Sequence, residues 1–466
     1  MKIISGISDG ALLQRDDHNQ CHVTVALEVT GTPVCHPGLL TPLRQEGGVC
    51  LYTLSGIPVG GPHTITLTDE ENSITLNIWV GDLWILAGQS NMEGAARPDA
   101  QDVALKANPD PSLRGYYLDN RWDAAVPILH EPWLSVDACQ RETFENYQIT
   151  TVWKSKLPPH LSHGKPEIGV CSGLFFAQRM KELTGVPQGV ISCAMGGSHL
   201  RAWQPQDTSG DNLYAAMLRR FHRTGAHVKG ILWHQGEAQT GAEDAPTYQE
   251  DMKKLIGAMR RDFHAPHLPV VIGQIAGTSL PFFCNDDCAA LWDNIREQQR
   301  TLEEHIPHLT AVSTLDCSRD DLIHLSSAGQ KSLGYRYAES MAWLLGMGSN
   351  RAPVIRRMAI EEDPYRITLA MLKIEFDHAD GLHFVGKPQG FSLCDTPDEP
   401  CRVTAKGIGR IETNGNTVCL YTEYSLDAMK EKFLCYGCGI DPNGNLVTEG
   451  NQAVLAMGPL CISEYL

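Results

Sequence analysis

The chain has 466 residues, enough for two or three domains with a sizeable core. Hydrophobic residues make up 42% and charged residues 20%, a globular balance that excludes a disordered chain. A net charge of -17 and a pI near 5.5 exclude a nucleic-acid surface and argue against any polyanionic partner.

Residues 1–80 read as a β-domain. Short β-rich runs (His22 to Val29, Val49 to Leu54, His63 to Leu67, Ser73 to Val80) alternate with Gly- and Pro-rich turns, as in a small sandwich. Gly6-Ile7-Ser8-Asp9-Gly10 matches a nucleophile-elbow pattern, but that motif needs a core strand before it and a helix after it, and almost nothing precedes it here.

From Gly81 the pattern changes to strands alternating with helices. Leu83-Trp84-Ile85-Leu86-Ala87 runs unbroken into Gly88-Gln89-Ser90, which reads as a buried parallel strand ending at a sharp turn. An irregular stretch of about residues 95–168 follows, with Trp122, Trp133 and Trp153. It is long for a connection and reads equally as a lid or as a structural wrap. A helix capped by Ser172 and stopped by Gly185 leads to a second strand, Gly189 to Ala194, and then Met195-Gly196-Gly197-Ser198. A helix carrying Leu213, Met217 and Phe221 leads to a third strand, Val228 to Trp233, and then His234-Gln235-Gly236-Glu237. The fourth strand is Val270 to Ile275. The fifth, Leu309 to Thr314, runs into Asp316 to His324 and a helix from about Ser326 to Leu345. Five strands with helices between them imply a parallel sheet covered on both faces, and polar clusters follow four of them at the carboxyl edge, where such sheets bind ligands. Residues 349–466 return to β-rich runs and read as a second β-domain.

The chemistry gathers at that edge. A serine at a strand end can expose its hydroxyl and aim its backbone N–H at a carbonyl. Asp321 stands three residues before His324, a spacing that lets a carboxylate meet Nδ1 and leave Nε2 to take a serine proton. Asp320 is adjacent, and the sequence only mildly favours Asp321. Gly196-Gly197 allows close backbone approach, and Gln235 offers a side-chain amide; with the Ser90 N–H they would make a three-donor oxyanion hole. Glu237 reads as a hydrogen-bonded support, a buried structural acid or a general acid. His234 with Glu237 lacks the H-E-x-x-H spacing of a zinc site.

Fifteen cysteines, odd in number and scattered, read as reduced thiols, several of them core filler. Cys284/Cys288 and Cys435/Cys438 lack a matching pair at finger-like spacing, so neither metal nor cofactor is expected. No apolar run approaches ~20 residues, which leaves no membrane span or membrane partner. Met1-Lys2-Ile3-Ile4-Ser5-Gly6 lacks the apolar stretch of a signal peptide, and the expected location is cytoplasmic. Oligomeric state is not legible.

Four blocks carry a family resemblance: Gly88-Gln89-Ser90-Asn91-Met92, Gly196-Gly197-Ser198 with Trp203, Trp233-His234-Gln235-Gly236-Glu237, and Asp321-x-x-His324. They resemble the sialate O-acetylesterase family of SGNH, or GDSL-like, hydrolases. Ser8-Asp9-Gly10 with Leu13-Gln14-Arg15, and Ile374-Glu375-Phe376 with Gly381-Leu382 and Gly390-Phe391, are similar to the family's flanking β-domains. The resemblance implies an α/β chain: an SGNH-type three-layer α/β/α catalytic domain at 81–348 with a five-stranded parallel sheet, between β-sandwich-like domains at 1–80 and 349–466. It implies Ser90 as nucleophile, His324 as base and Asp321 as its orienter, with an oxyanion hole of Ser90, Gly197 and Gln235. Gln89, Gly196, Glu237 and Arg201 become supporting or substrate-binding candidates. Arg201 departs from the family, which often has an acidic residue there. The expected activity is removal of O-acetyl groups from sialic acid. The alternatives are an acetylesterase of hemicellulose-type oligosaccharides and an inactive carbohydrate-binding protein.

Overall fold

The computed structural model describes residues 1–46, 48–142, 169–205, 210–280, 286–397 and 407–466. Trp153 and Cys284, and with them the last part of the stretch read as lid or wrap, lie outside these residues. The chain divides into two compact units: Met1–Trp233 with Leu255–Pro269, and His234–Lys254 with Val270–Leu466.

In the first unit an antiparallel sheet runs in the order Lys2–Ser5, Gln20–Glu28, Val49–Pro58, Leu39–Glu46. Alternate residues along Gln20–Glu28 (Cys21, Val23, Val25, Leu27) are fully buried, the period-two signature of a half-covered sheet. The Gly6–Gly10 turn is structural: Asp9 Oδ1 accepts the Asn77 N–H at 2.7 Å.

One strand, Ser73–Gly88, organises the unit. Its first half pairs antiparallel with Gly60–Thr68 and is buried on alternate residues, whereas from Trp79 onward every residue is buried. The change of pattern read near Gly81 is therefore a change of burial inside one continuous strand. Its second half lies between parallel Gln188–Ser192 on one side and Gly230–His234 on the other. Leu12–Gln14 also pairs parallel with it.

The sheet does not follow the expected five-stranded parallel plan. Leu113–Tyr116, inside the stretch read as irregular, adds a parallel strand next to Gln188–Ser192, and Trp122–Ala124 pairs antiparallel with it. A helix, Ala100–Ala107, also forms there, with Asp99 and Asp102 closing a capping box. Ser172 precedes the helix Gly173–Thr184 but makes no side-chain cap bond, whereas Gly185 ends it in the left-handed conformation (φ 72).

In the second unit Val270–Gly273 and Leu309–Val312 pair parallel, and helices Asp286–His305 and Ser327–Leu344 pack against Leu309–Val312. The C-terminal part holds a four-stranded antiparallel sheet (Val354–Asp363, Arg366–Asp377, Thr417–Thr422, Ile408–Asn414) and a three-stranded one (Phe391–Cys394, Phe433–Tyr436, Met457–Cys461). Both sheets feed one core, with Leu372, Ile374 and Leu420 from one and Phe391, Leu434 and Leu460 from the other. Every described cysteine is a free thiol. Cys438 Sγ lies 3.3 Å from the Met457 carbonyl and Cys435 Sγ 3.7 Å from Cys394 Sγ, and no described group of three or more His, Cys, Asp or Glu is placed to hold a metal ion.

Candidate active site

Ser90 and the glycine loop lie in the first unit. Strand Ser73–Gly88 ends at a glycine whose φ of 133 suits no side chain, and Ser90 opens the one-turn helix Ser90–Glu93. Gln89 is buried and its carbonyl takes the N–H groups of Met92 and Glu93, both at 2.9 Å. Ser90 itself is half-buried.

The glycine loop follows strand Gln188–Ser192. Cys193 N–H donates to the Leu86 carbonyl and Met195 N–H to the Gly88 carbonyl, each at 3.0 Å, so the loop continues the sheet register beside the serine turn. Gly196 N–H donates to Glu93 Oε2 at 3.0 Å. A Cβ on Gly196 would stand 2.6 Å from that oxygen and 3.8 Å from Ser90 Cβ, so only glycine leaves the carboxylate its place. Gly197 adopts φ 66. Among the described residues, neither Ser90 N–H nor Gly197 N–H has a hydrogen-bond acceptor. Behind them Trp203 Nε1 donates to Ser198 Oγ (3.2 Å), which donates to the Gly88 carbonyl (3.3 Å). Arg201 is exposed on the turn Leu200–Trp203, and its guanidinium makes no ion pair among the described residues.

Sequence reasoning missed a buried polar group beneath this loop. Ala194 N–H donates to His130 Nε2 at 3.3 Å, and Gln140 Nε2 reaches the carbonyls of Cys193 and Ala194. Burial and the nearby Arg220 charge, opposed by a bond to the Glu93 backbone, push the His130 imidazole down to about 3. No motif marks these residues; their partners lie 50 or more positions away in sequence.

Asp321 and His324 lie in the second unit. His324 Nδ1 and Asp321 Oδ2 stand 2.6 Å apart, and Asp321 Oδ1 accepts the N–H groups of Ile323 (2.8 Å) and His324 (2.6 Å). Asp321 rather than Asp320 makes the contact. Partial burial works to raise the Asp321 carboxyl, but the bond and charge of His324 and the two N–H donors outweigh it and hold the group down at about 2. The loop is pinned by Thr278 Oγ1 and Ser279 N–H on the Leu322 carbonyl (3.0 and 2.9 Å) and by Arg319 on Asp441 (2.6 Å). Ser326 caps the next helix at the Gly329 N–H.

Gln235, in the same unit, is fully buried. Its carbonyl accepts Tyr248 Oη and Gln299 Nε2, both at 2.9 Å, and its amide nitrogen lies 3.4 Å from Gln239 Oε1. Glu237 is buried with Oε1 3.8 Å from His234 Nε2; burial lowers the His234 pKa and Glu237 opposes the shift.

A strand-end serine whose neighbouring N–H donors have no acceptor among the described residues and, in the other unit, a carboxylate-bound imidazole are groups of the kinds serine hydrolases use. The family model for carbohydrate esterases described as sialic acid-specific acetylesterase matches residues 80–343, more than half of the chain. The chain belongs to that family and is by membership a carbohydrate esterase, a carboxylic ester hydrolase of acetylated sugars. Probable carbohydrate esterase At4g34215 of Arabidopsis thaliana is 27% identical over 298 residues, 59% of this chain and 96% of the relative. The human sialate O-acetylesterase is 23% identical over 253 residues, 48% of this chain; the match spans only 45% of the human protein. The crystal structure of XAC1771, a novel carbohydrate acetylesterase from Xanthomonas citri, shares the fold across 98% of both chains, with a TM-score of 0.71 and 20% identity.

Proposed function

We propose that this chain is a serine O-acetylesterase that deacetylates sialic acid through Ser90, His324 and Asp321. The observation that carries the reading is the pair of N–H groups at Ser90 and Gly197, which have no acceptor among the described residues, while the neighbouring Gly196 N–H is bonded to Glu93. Such donors await an oxyanion. In this reading His324 Nε2 takes the Ser90 proton as Oγ attacks the acetyl carbonyl. Ser90 N–H, Gly197 N–H and the Gln235 amide hold the tetrahedral oxyanion. The intermediate collapses, the sugar oxygen leaves with the proton from His324, and acetyl-Ser90 remains. Water, deprotonated by His324, then releases acetate and restores Ser90. Asp321, ionised at any working pH, fixes the imidazole tautomer and steadies its charge. A cytoplasmic setting is proposed because every described cysteine is a free thiol, as expected in a reducing compartment, and cell fractionation tests it.

A second substrate reading is acetylated xylan-, mannan- or xyloglucan-type oligosaccharides, because the relatives' names fix the acetylated sugar unevenly. The plant protein, named only as a carbohydrate esterase, is matched over nearly its full length, the human sialate enzyme over less than half. Acetate release from 9-O-acetyl sialic acid, against acetylated xylo- and manno-oligosaccharides at equal ester concentration, separates the two. A clear preference for the neutral sugars would rule out the sialate reading.

A further inference from the structure

We infer that Gln140 is a positioning residue for the oxyanion loop, oriented for that task by the buried Arg220; the inference rests on the reading of Gly197 as an oxyanion donor. The sequence placed Gln140 in a stretch without regular structure, and no motif contains it. In the fold it is fully buried beneath the segment Cys193–Gly197. Its Nε2 lies 3.2 Å from the Cys193 carbonyl and 3.3 Å from the Ala194 carbonyl, two successive peptide groups at the root of the loop.

The other end of the amide is fixed as firmly. Gln140 Oε1 accepts Arg220 Nη2 at 2.7 Å and Ser135 Oγ at 3.0 Å. A guanidinium has donors only, so the oxygen must face Arg220 and the NH2 must face the loop. Arg220, fully buried on the helix Leu213–Arg223, is itself held by Asp137, whose Oδ2 stands 2.7 Å from Nη2 and whose Oδ1 takes Arg219 Nε at 2.7 Å. The order is a relay: carboxylate, guanidinium, amide, two carbonyls. With Cys193 and Met195 N–H tied to the serine strand, Ala194 N–H to His130 and Gly196 N–H to Glu93, the two carbonyls held by Gln140 complete the fixing of the loop. Among the described residues Gly197 N–H has no acceptor. A donor displaced by about 1 Å can lose on the order of 100-fold in rate, so a clamp of this kind acts on the transition state more than on substrate binding.

The test is Gln140→Glu, which keeps the shape and the Arg220 contact but sets acceptor oxygens against two carbonyls. Active sites are titrated with a fluorophosphonate, and kcat is expressed per titrated serine on an acetylated sugar. The expected result is a kcat lower by about 10- to 100-fold with KM within about threefold, and phosphonylation of Ser90 slowed in parallel, because both reactions need the same hole. If the Glu variant does not fold, Gln140→Met removes both donors without adding charge and carries the same expectation. An unchanged kcat per titrated serine in the folded Gln140 variant, with only a lower melting temperature, would reduce Gln140 to a core contact. A wild-type protein that neither releases acetate from an acetylated sugar nor takes up the phosphonate would instead overturn the underlying reading, and both are measured before any variant is made.

Discussion

Glu93 Oε2 accepts the Gly196 N–H at 3.0 Å, so a single carboxylate ties the turn that carries Ser90 to the loop that carries Gly197. The Ser90 turn and the Gly197 loop are then set by one contact rather than by two independent turns. Glu93→Ala should lower kcat by about 100-fold with a smaller effect on KM, since the donor drifts from where the oxyanion forms. Glu93→Gln keeps an oxygen that can accept the same N–H and should cost less than about tenfold. Equal losses in the two variants would mean that the charge of Glu93, not its hydrogen bond, is what matters.

His324→Ala should cost about as much as Ser90→Ala, and the double variant little more, because the two act as a unit. Asp321→Asn should hurt less than loss of the histidine but far more than Asp320→Asn, since it is Asp321 that stands 2.6 Å from Nδ1. Steady-state kinetics of the four variants decide this; additive losses at Ser90 and His324 would separate their roles.

Acid should weaken the fold through His130. In the folded chain this imidazole is pushed down to about 3, against an ordinary value of about 6.5 when unfolded. Between those values the unfolded chain holds a proton that the folded chain lacks, so stability falls as pH drops below about 6.5. The loss from this group should be about 2 kcal/mol at pH 5. Denaturant unfolding at pH 7 and pH 5 should show a smaller difference in His130→Gln than in the wild type; equal differences would place the acid sensitivity elsewhere.

How much of this was legible depended on where each signal lies. Leu83 to Ala87 is a run of apolar residues, and its burial follows from composition. Gly185 and Ser326 end and begin helices through local chemistry, so local sequence reveals them. Strand Leu113–Tyr116 was hidden because it is short and carries Arg114, which reads as exposed. In the fold that guanidinium lies 4.4 Å from the Trp79 ring centroid and donates to the Gly10 carbonyl. Ser90, Asp321 and His324 stood out because their chemistry clusters at strand ends. Gln140, Arg220 and His130 did not, because a buried polar residue announces itself only through partners far along the chain.

Arg201 tests the sugar. If its exposed guanidinium pairs with a sialate carboxylate, Arg201→Ala should weaken kcat/KM for acetylated sialic acid by about 1.5–3 kcal/mol, the range for a charge-assisted hydrogen bond. Turnover of p-nitrophenyl acetate, which has no carboxylate, should hardly change. Equal loss on both substrates would assign Arg201 to the support of the glycine loop instead.

The central claim is that Ser90 is the nucleophile of a sugar O-acetylesterase, and acetate release from an acetylated sugar by wild type and Ser90→Ala, at matched folded concentration, tests it most directly. The wild type should release acetate and the variant should be slower by on the order of 10⁴-fold or more, with an unchanged melting temperature. A variant that retained near-normal turnover would contradict the assignment of Ser90 and the mechanism built on it.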